Sequence, residues 1–241
     1  MATISTTEHD LADAETHPRP TDFGAFRKPT YTIPRATKDL GGLAGRLPEI
    51  WSVWGRHSIA PAFREALMVS VAHYNGCRFC AFAHVEWALA EDVSGEELAE
   101  LAGISAGQSA GQSGGHIDRD RWIAYAWANE LVGSGFGDVS EELSREMAAR
   151  YSSGERRQLD TIARVMTFMN LSGNTFDALL SRRNRRPAPG SRLIDELVVG
   201  GAFVAAIPPV AIFLSAKRRK SPLRLMRELA RFSTRFTGPA V

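Results

Sequence analysis

Apolar residues recur at helical spacing along most of this chain, and this periodicity limits the possible folds more than any other feature. Ile50, Trp51 and Trp54 fit one face of a helix, and a second set with the same spacing lies between Phe63 and Ala72. No segment alternates apolar and polar residues for long enough to predict a convincing strand. The sequence therefore predicts an all-α protein.

Composition and periodicity divide the chain into three predicted parts. Residues 1–40 mix Thr, Pro, Asp and Glu without apolar periodicity, which is typical of a flexible N-terminal arm. Residues 41–180 carry the periodic segments and are predicted to form a helical domain. Within it, the Gly-, Ser- and Gln-rich stretch 103–115 is expected to be a loop, and the last long helix is expected over 153–171. Residues 181–241 form an apolar and basic helical extension.

The extension is strongly basic although the whole chain has a net charge of only +2. Residues 181–241 contain 13 Arg and Lys against three acidic residues, and the first 180 residues contain 16 basic and 24 acidic groups. Between Pro222 and Phe236, apolar residues and arginines alternate with the period of a helix, which predicts a basic amphipathic helix. We expect it to dock on the acidic body of its own protein, with an anionic membrane as the second choice. Nucleic acid is not expected as a partner, because no recognition motif accompanies the arginines.

A run of 20 uncharged residues, 197–216, precedes the basic helix. Its length would suffice to cross a bilayer, but Pro208-Pro209 lies in its middle, where it would break a straight helix. We therefore predict two buried core helices hinged at the prolines in preference to membrane insertion, and peripheral membrane contact through residues 197–236 is the alternative to docking on the protein's own body. The start of the chain lacks a signal-peptide pattern. We expect a cytoplasmic protein, which is membrane-associated if that alternative holds.

The residues that could carry chemistry lie in one short segment. Cys77 and Cys80 stand at i and i+3, directly after Asn75-Gly76, a pair typical of a helix stop. His84 follows four residues after Cys80, so the three side chains share one face of the predicted helix. Because the positive end of the helix dipole stabilises a thiolate, a Cys at this place is a nucleophile.

Glu65 belongs to the preceding helix, which the turn folds back antiparallel, so its carboxylate could orient the imidazole of His84. Three interpretations remain open: a redox pair, a zinc site that adds Glu65 or His73 to the Cys77, Cys80 and His84 set, and buried thiols beside a core histidine. We favour the redox pair, because closed zinc sites gather two separated ligand pairs and no second pair follows. His73 is expected to pack or to cap a helix. No metal is expected, because the second ligand pair is absent, and no flavin, haem or nucleotide cofactor is expected, since no phosphate-binding glycine loop precedes a helix.

Four residues with their spacing match a known motif, and Asn75-Gly76 precedes it in the expected place. The pattern is Glu65-(11 residues)-Cys77-x-x-Cys80-x-x-x-His84. It resembles the motif of the AhpD-like superfamily, which comprises alkylhydroperoxidase D proteins and carboxymuconolactone decarboxylases. The resemblance covers roughly residues 47–180. One position departs from the alkylhydroperoxidase D proteins proper, which have a His just before the second Cys, where this chain has Phe79.

The resemblance implies a helical bundle with a CxxC helix hairpin, assembled into homotrimers or a multiple of them. It implies a peroxidase in which Cys80 attacks an alkyl hydroperoxide and Cys77 resolves the resulting sulfenic acid. Glu65 and His84 would act as a proton relay, and an external dithiol or a lipoylated protein would reduce the disulfide. A lactone-processing decarboxylase, which does not depend on a Cys pair, is the alternative enzyme. A non-catalytic zinc-binding or structural helical module is the third alternative.

Overall fold

The structure, a computed structural model, describes residues 26–105 and 115–236. Neither range contains a strand, and the all-α prediction is confirmed for them. Short π-helical turns at Trp51–Gly55 and Glu196–Gly200 continue the second and ninth helices. The α-helices are α1 Ile33–Ala44, α2 Leu47–Ile50, α3 Pro61–Tyr74, α4 Arg78–Ala90, α5 Gly95–Ser105, α6 Arg119–Gly133, α7 Glu141–Arg150, α8 Ser153–Arg183, α9 Leu193–Asp195, α10 Gly201–Arg218 and α11 Pro222–Arg235.

Helix α3 lies at the centre of the bundle and packs against α4, α5, α6 and α8. Its residues from Arg64 to Ala72 are all buried, as expected for a helix that is apolar on nearly every side. Tyr125 of α6 and Met166 of α8 are among the fully buried side chains of the same core. The two charged residues in α3, Arg64 and Glu65, are therefore surrounded by protein and need partners there.

The turn between α3 and α4 is held by α8. Gly76 has a φ of +69°, a left-handed conformation that ends α3 and that glycine adopts without strain. The side-chain amide of Asn174 donates a hydrogen bond of 2.8 Å to the carbonyl of Asn75. The side-chain amide of Asn170 donates a hydrogen bond of 3.1 Å to the carbonyl of Val71. These contacts fix the direction in which α4 leaves the turn.

Helix α8 is longer than the sequence predicts. It starts at Ser153 behind a capping box formed by Ser152 and Glu155, but it continues to Arg183 rather than ending at Leu171. The segment Ser172–Thr175 resembles a helix stop because its residues are small and polar. In the fold these residues are buried against the α3–α4 turn and α1, so tertiary contacts stabilise the helix through them.

The N-terminal arm predicted over residues 1–40 is wrong for its described part; residues 1–25 lie outside the described residues. Tyr31 is only 1% exposed, and its backbone N–H donates a hydrogen bond of 2.8 Å to Thr175. Helix α1 begins at Ile33, whose N–H donates to Asp195 at 2.9 Å. Distant polar groups hold this segment, and such contacts leave no periodic signal in the local sequence.

Helix α5 starts behind Ser94 and extends past the start of the predicted loop. The Ser94 hydroxyl accepts a hydrogen bond of 3.0 Å from the N–H of Glu97, which caps the first turn of the helix. The helix continues to Ser105, inside the stretch expected to be a loop. Residues 106–114, the rest of that predicted loop, lie outside the described residues.

The prediction of two buried helices hinged at Pro208-Pro209 is wrong. The chain from Leu193 to Arg218 forms one helix. Only 11% of the most apolar 18-residue stretch of this helix is buried. Val204 and Ala205, one turn before the prolines, lie on the exposed side, where carbonyls that lose a helical partner can meet water. In the described part of the chain, this is the one helix long and apolar enough to cross a membrane.

The basic amphipathic helix predicted near the C-terminus is present as α11 and docks on the protein's own body. Leu225 is buried, and the ring of Phe232 packs against that of Phe82 on α4 with centroids 5.7 Å apart. At the junction between α10 and α11, the Glu86 carboxylate accepts hydrogen bonds from Arg218 and Lys220. The basic extension thus pairs with acidic groups of α4, as the charge distribution indicated.

Candidate active site

The two cysteines lie at the start of α4 and form a disulfide. Cys77 is the N-cap residue, and its sulfur accepts a hydrogen bond of 3.4 Å from the backbone N–H of Cys80. Their Cα atoms are 5.4 Å apart, which is within the usual range for a disulfide. The pair can therefore cross-link within one helical turn, and the uncapped N–H groups around it favour a thiolate when the bond is reduced.

The two sulfurs differ in their access to small molecules. Cys77 is fully buried and packs against Gly173 of α8. Cys80 is 6% exposed and lines a cavity together with His84, one turn further along α4. A ligand in this cavity would meet Cys80, while Cys77 could reach the ligand's reaction product only through Cys80.

Glu65 and His84 are brought together as the sequence predicts. The Nδ1 atom of His84 lies 2.7 Å from one carboxylate oxygen of Glu65, on the neighbouring helix α3. Burial acts to raise the pKa of the Glu65 carboxyl, but the hydrogen bonds and charges of His84 and Arg64 together lower it below its usual value. An ionised carboxylate only accepts hydrogen bonds, so Nδ1 of His84 donates to Glu65, and Nε2 is the ring nitrogen through which His84 can exchange a proton.

Arg64 completes this pair and was not anticipated from the sequence. Its guanidinium donates hydrogen bonds of 3.0 and 2.7 Å to the second oxygen of Glu65 and lies over the ring of Trp54. Arg64 is 7% exposed. Adjacent charged residues on a helix usually face solvent, so the sequence does not predict a buried Arg64. The signal that could have found it is the isolated Arg64-Glu65 pair within an otherwise apolar helix.

The cavity beside Cys80 has a volume of about 190 Å³. Its floor includes Phe79, the position that departs from the alkylhydroperoxidase D pattern, and Trp87, whose ring centroid lies 5.1 Å from that of His84. Met169 of α8 forms one side, and the remaining wall comes from α10 and α11. Sequence periodicity could not identify these wall residues, because they are distant from the motif along the chain.

His73 lies outside the cluster of the four predicted residues. Its ring packs against Phe236 with centroids 5.0 Å apart, and burial lowers its pKa to about 4, so it is neutral at pH 7. This placement agrees with the expected packing role. Within residues 26–105 and 115–236, no group of three or more His, Cys, Asp or Glu is placed to hold a metal ion, and the zinc alternative gains no support there.

Comparison with known proteins identifies one family. Residues 49–112 match the model of the carboxymuconolactone decarboxylase family, and the matched segment contains Glu65, Cys77, Cys80 and His84. The match is shorter than the expected 47–180 and leaves out α6 to α11. Neither the curated proteins nor the solved structures gave a match. Residues 49–112, about a quarter of the chain, are therefore similar to the carboxymuconolactone decarboxylase family.

Proposed function

We propose that this protein is a thiol-dependent peroxidase that reduces alkyl hydroperoxides through Cys80 and Cys77. The observation that carries the proposal is the arrangement around Cys80. Its sulfur lines a cavity with His84, the imidazole of His84 is oriented by the buried carboxylate of Glu65, and the second sulfur is buried directly behind it. A nucleophile, an oriented base and a resolving thiol are the three groups that such a reaction needs.

In the first step, Nε2 of His84 takes the proton from the Cys80 thiol. The thiolate then attacks the terminal oxygen of the hydroperoxide, so that a sulfur–oxygen bond forms and the oxygen–oxygen bond breaks. The departing alkoxide takes the proton back from His84 and leaves as an alcohol. Glu65 stabilises the transient imidazolium, and Cys80 is left as a sulfenic acid.

In the second step, the sulfur of Cys77 attacks the sulfur of the Cys80 sulfenic acid. A disulfide forms, the sulfur–oxygen bond breaks, and the hydroxide leaves as water with the proton of Cys77. The two thiols have then lost two electrons to the peroxide. An external dithiol, for example that of a lipoylated protein, returns these electrons by thiol–disulfide exchange.

The proposal is tested by comparing wild type with Cys80→Ser and Cys77→Ser under a dithiol such as dihydrolipoamide. We expect Cys80→Ser to show no turnover of cumene hydroperoxide. Cys77→Ser should react once and accumulate a sulfenic acid at Cys80, detectable by dimedone labelling and mass spectrometry. Turnover by Cys80→Ser at the wild-type rate would overturn the proposal.

The decarboxylase function in the matched family's description is the second candidate. It predicts activity on a carboxylated lactone that survives the loss of both cysteines, since that chemistry does not require a thiol. The double variant Cys77→Ser/Cys80→Ser therefore separates the two candidates in one preparation. Peroxide turnover lost in the double variant supports the peroxidase, and lactone turnover retained supports the decarboxylase.

We propose further that copies of the chain associate into trimers or a multiple of them, using the outer face of the helix Leu193–Arg218. The support is the exposure of its large apolar side chains, which is 49–66% for Leu197, Val198, Ile212 and Phe213. Exposed apolar side chains concentrated on one element are typical of a surface that contacts another protein or a membrane. We expect Ile212→Glu to lower the mass measured by sedimentation. A wild-type monomer that co-sediments with anionic liposomes, and an Ile212→Glu variant that does not, would instead support peripheral membrane contact through residues 197–236.

A further inference from the structure

The cavity beside Cys80 is closed mainly by helices that lie outside the family match. Residues 49–112 supply its floor through α4, whereas α10 and α11 supply most of its wall. Phe203, Ile207 and Leu214 of α10 and Leu225 of α11 line it and are held in place by the packing of α10 on α8 and of both helices on α4. The C-terminal extension therefore determines the shape of the space in front of Cys80.

The lining of this cavity is almost entirely apolar. Cys80 and His84 contribute the polar groups, apart from the indole of Trp87, and the other lining side chains are aliphatic or aromatic. Pockets in proteins bind ligands with matching chemistry, so that apolar walls take an apolar group and the few polar groups orient the rest. The polar end of this cavity is the pair of residues that the proposed function assigns to the hydroperoxyl group.

We propose that this cavity binds the apolar body of an organic hydroperoxide and that α10 and α11 thereby select the substrate. The inference rests on the proposed peroxidase function for the identity of the reacting group. A cavity of about 150 Å³ holds one benzene molecule. The volume here, about 190 Å³, accommodates one aromatic ring with a small branch, or an alkyl chain of about six carbons.

The position of the mouth indicates what happens to longer chains. Met226 at the start of α11 lines the cavity and is 52% exposed, so the cavity reaches solvent beside it. Carbons beyond about the sixth would extend past Met226 and gain little further burial. Hydrogen peroxide has no apolar body, and the cavity offers it no binding energy beyond its contacts with Cys80 and His84.

The first test needs no catalysis and uses the oxidised wild-type protein. Binding of straight-chain primary alcohols, which mimic the reduced product, is measured by calorimetry from two to nine carbons. We expect the affinity to rise about fourfold per methylene, which corresponds to about 0.8 kcal/mol, up to about six carbons, and then to level off. An affinity that does not change with chain length would overturn the inference.

The second test fills the cavity by mutation. Ala206 lines it, whereas the neighbouring Ala205 is exposed and does not line it, so Ala206→Phe adds its bulk inside the cavity and Ala205→Phe adds the same bulk outside it. We expect Ala206→Phe to lower the ratio of kcat/KM for cumene hydroperoxide over hydrogen peroxide about tenfold or more. Ala205→Phe should keep the wild-type ratio. Equal ratios in the two variants would contradict the inference.

The two tests separate this inference from the proposed function. If the alcohols bind with the expected dependence on chain length but no peroxide is turned over, the apolar site stands and the peroxidase proposal fails. If peroxides are turned over but the alcohol series is flat and the ratio is unchanged in Ala206→Phe, the peroxidase stands and the selection by α10 and α11 is wrong. Should Ala206→Phe not fold, the alcohol series on wild type still decides the inference.

Discussion

Gly173 of α8 lies directly against the sulfur of Cys77, and a Cβ atom at this position would stand 2.7 Å from that sulfur. The same Cβ would lie 3.0 Å from the ring of Phe203 on α10. Three elements of the site, the start of α4, the middle of α8 and the start of α10, therefore meet at a residue without a side chain. The close approach of α8 is what buries Cys77 behind Cys80.

We expect Gly173→Ala to lower the stability of the oxidised protein by about 2 kcal/mol, because overpacking at a buried contact forces the backbone or the disulfide to move. The measurement is the thermal unfolding midpoint. Gly154→Ala on the same helix is the matched control, since its Cβ would meet the nearest atom at 3.8 Å, an ordinary contact. A midpoint for Gly173→Ala equal to that of the control would contradict this account of the site.

Glu65→Gln tests the buried carboxylate. We expect kcat/KM for a hydroperoxide to fall at least tenfold, since a neutral amide cannot stabilise the imidazolium of His84. Stability should fall by about 3 kcal/mol, because the guanidinium of Arg64 loses its buried counter-charge. Glu142→Gln, on the exposed side of α7, should change neither quantity.

The lowered pKa of Glu65 also predicts a pH dependence. Since the folded pKa lies below the unfolded one, ionised Glu65 stabilises the fold above the unfolded pKa of about 4.5, and this stability is lost as the pH falls through the folded pKa. Glu65→Gln should flatten this part of the stability profile. A wild-type profile that matches that of Glu65→Gln below pH 5 would be inconsistent with an ionised Glu65.

His73 predicts a second and separate pH effect. Its pKa is lowered to about 4 in the fold from 6.5 in the unfolded chain, so the unfolded chain binds more protons between these values. Stability should therefore rise with pH across this window, by at most about 3 kcal/mol. His73→Phe should remove the rise in denaturant unfolding experiments, whereas His116→Gln at an exposed position should keep it. The same slope in both variants would show that His73 is not the group responsible.

Glu86→Gln tests how the extension is attached. The Glu86 carboxylate accepts hydrogen bonds of 2.8 Å from Arg218 and of 2.8 and 2.9 Å from Lys220, at the junction between α10 and α11. Loss of the Glu86 charge should lower the free energy of local unfolding at this junction by about 1.4 kcal/mol. Trypsin should then cleave near Arg219 about tenfold faster. Glu91→Gln removes the single, more exposed pair with Lys217 and should have a smaller effect. Equal cleavage rates in both variants would contradict the proposed role of Glu86 in attaching the extension.

Sequence alone was sufficient for the fold class and for the close placement of Glu65, Cys77, Cys80 and His84. The Asn75-Gly76 turn, the Cys77 and Cys80 spacing and the position of His84 are local features, and helical geometry converts them directly into positions in space. To place Glu65 beside His84, the sequence must also predict that α3 and α4 run antiparallel. The Asn75-Gly76 turn between the two helices predicts this arrangement. Phe232 and the rest of α11 likewise followed from periodicity, because an amphipathic face depends on neighbouring residues only.

Tertiary structure alone decided the length of α8, the course of the helix through Pro208-Pro209 and the cavity in front of Cys80. Ser172–Thr175 remain helical because they bury against the α3–α4 turn and α1, elements that lie more than 90 residues away in the chain. Gly173 and Phe203 belong to the site for the same reason. Contacts between residues so distant in sequence depend on how whole helices pack, and no local pattern of residue types encodes that packing.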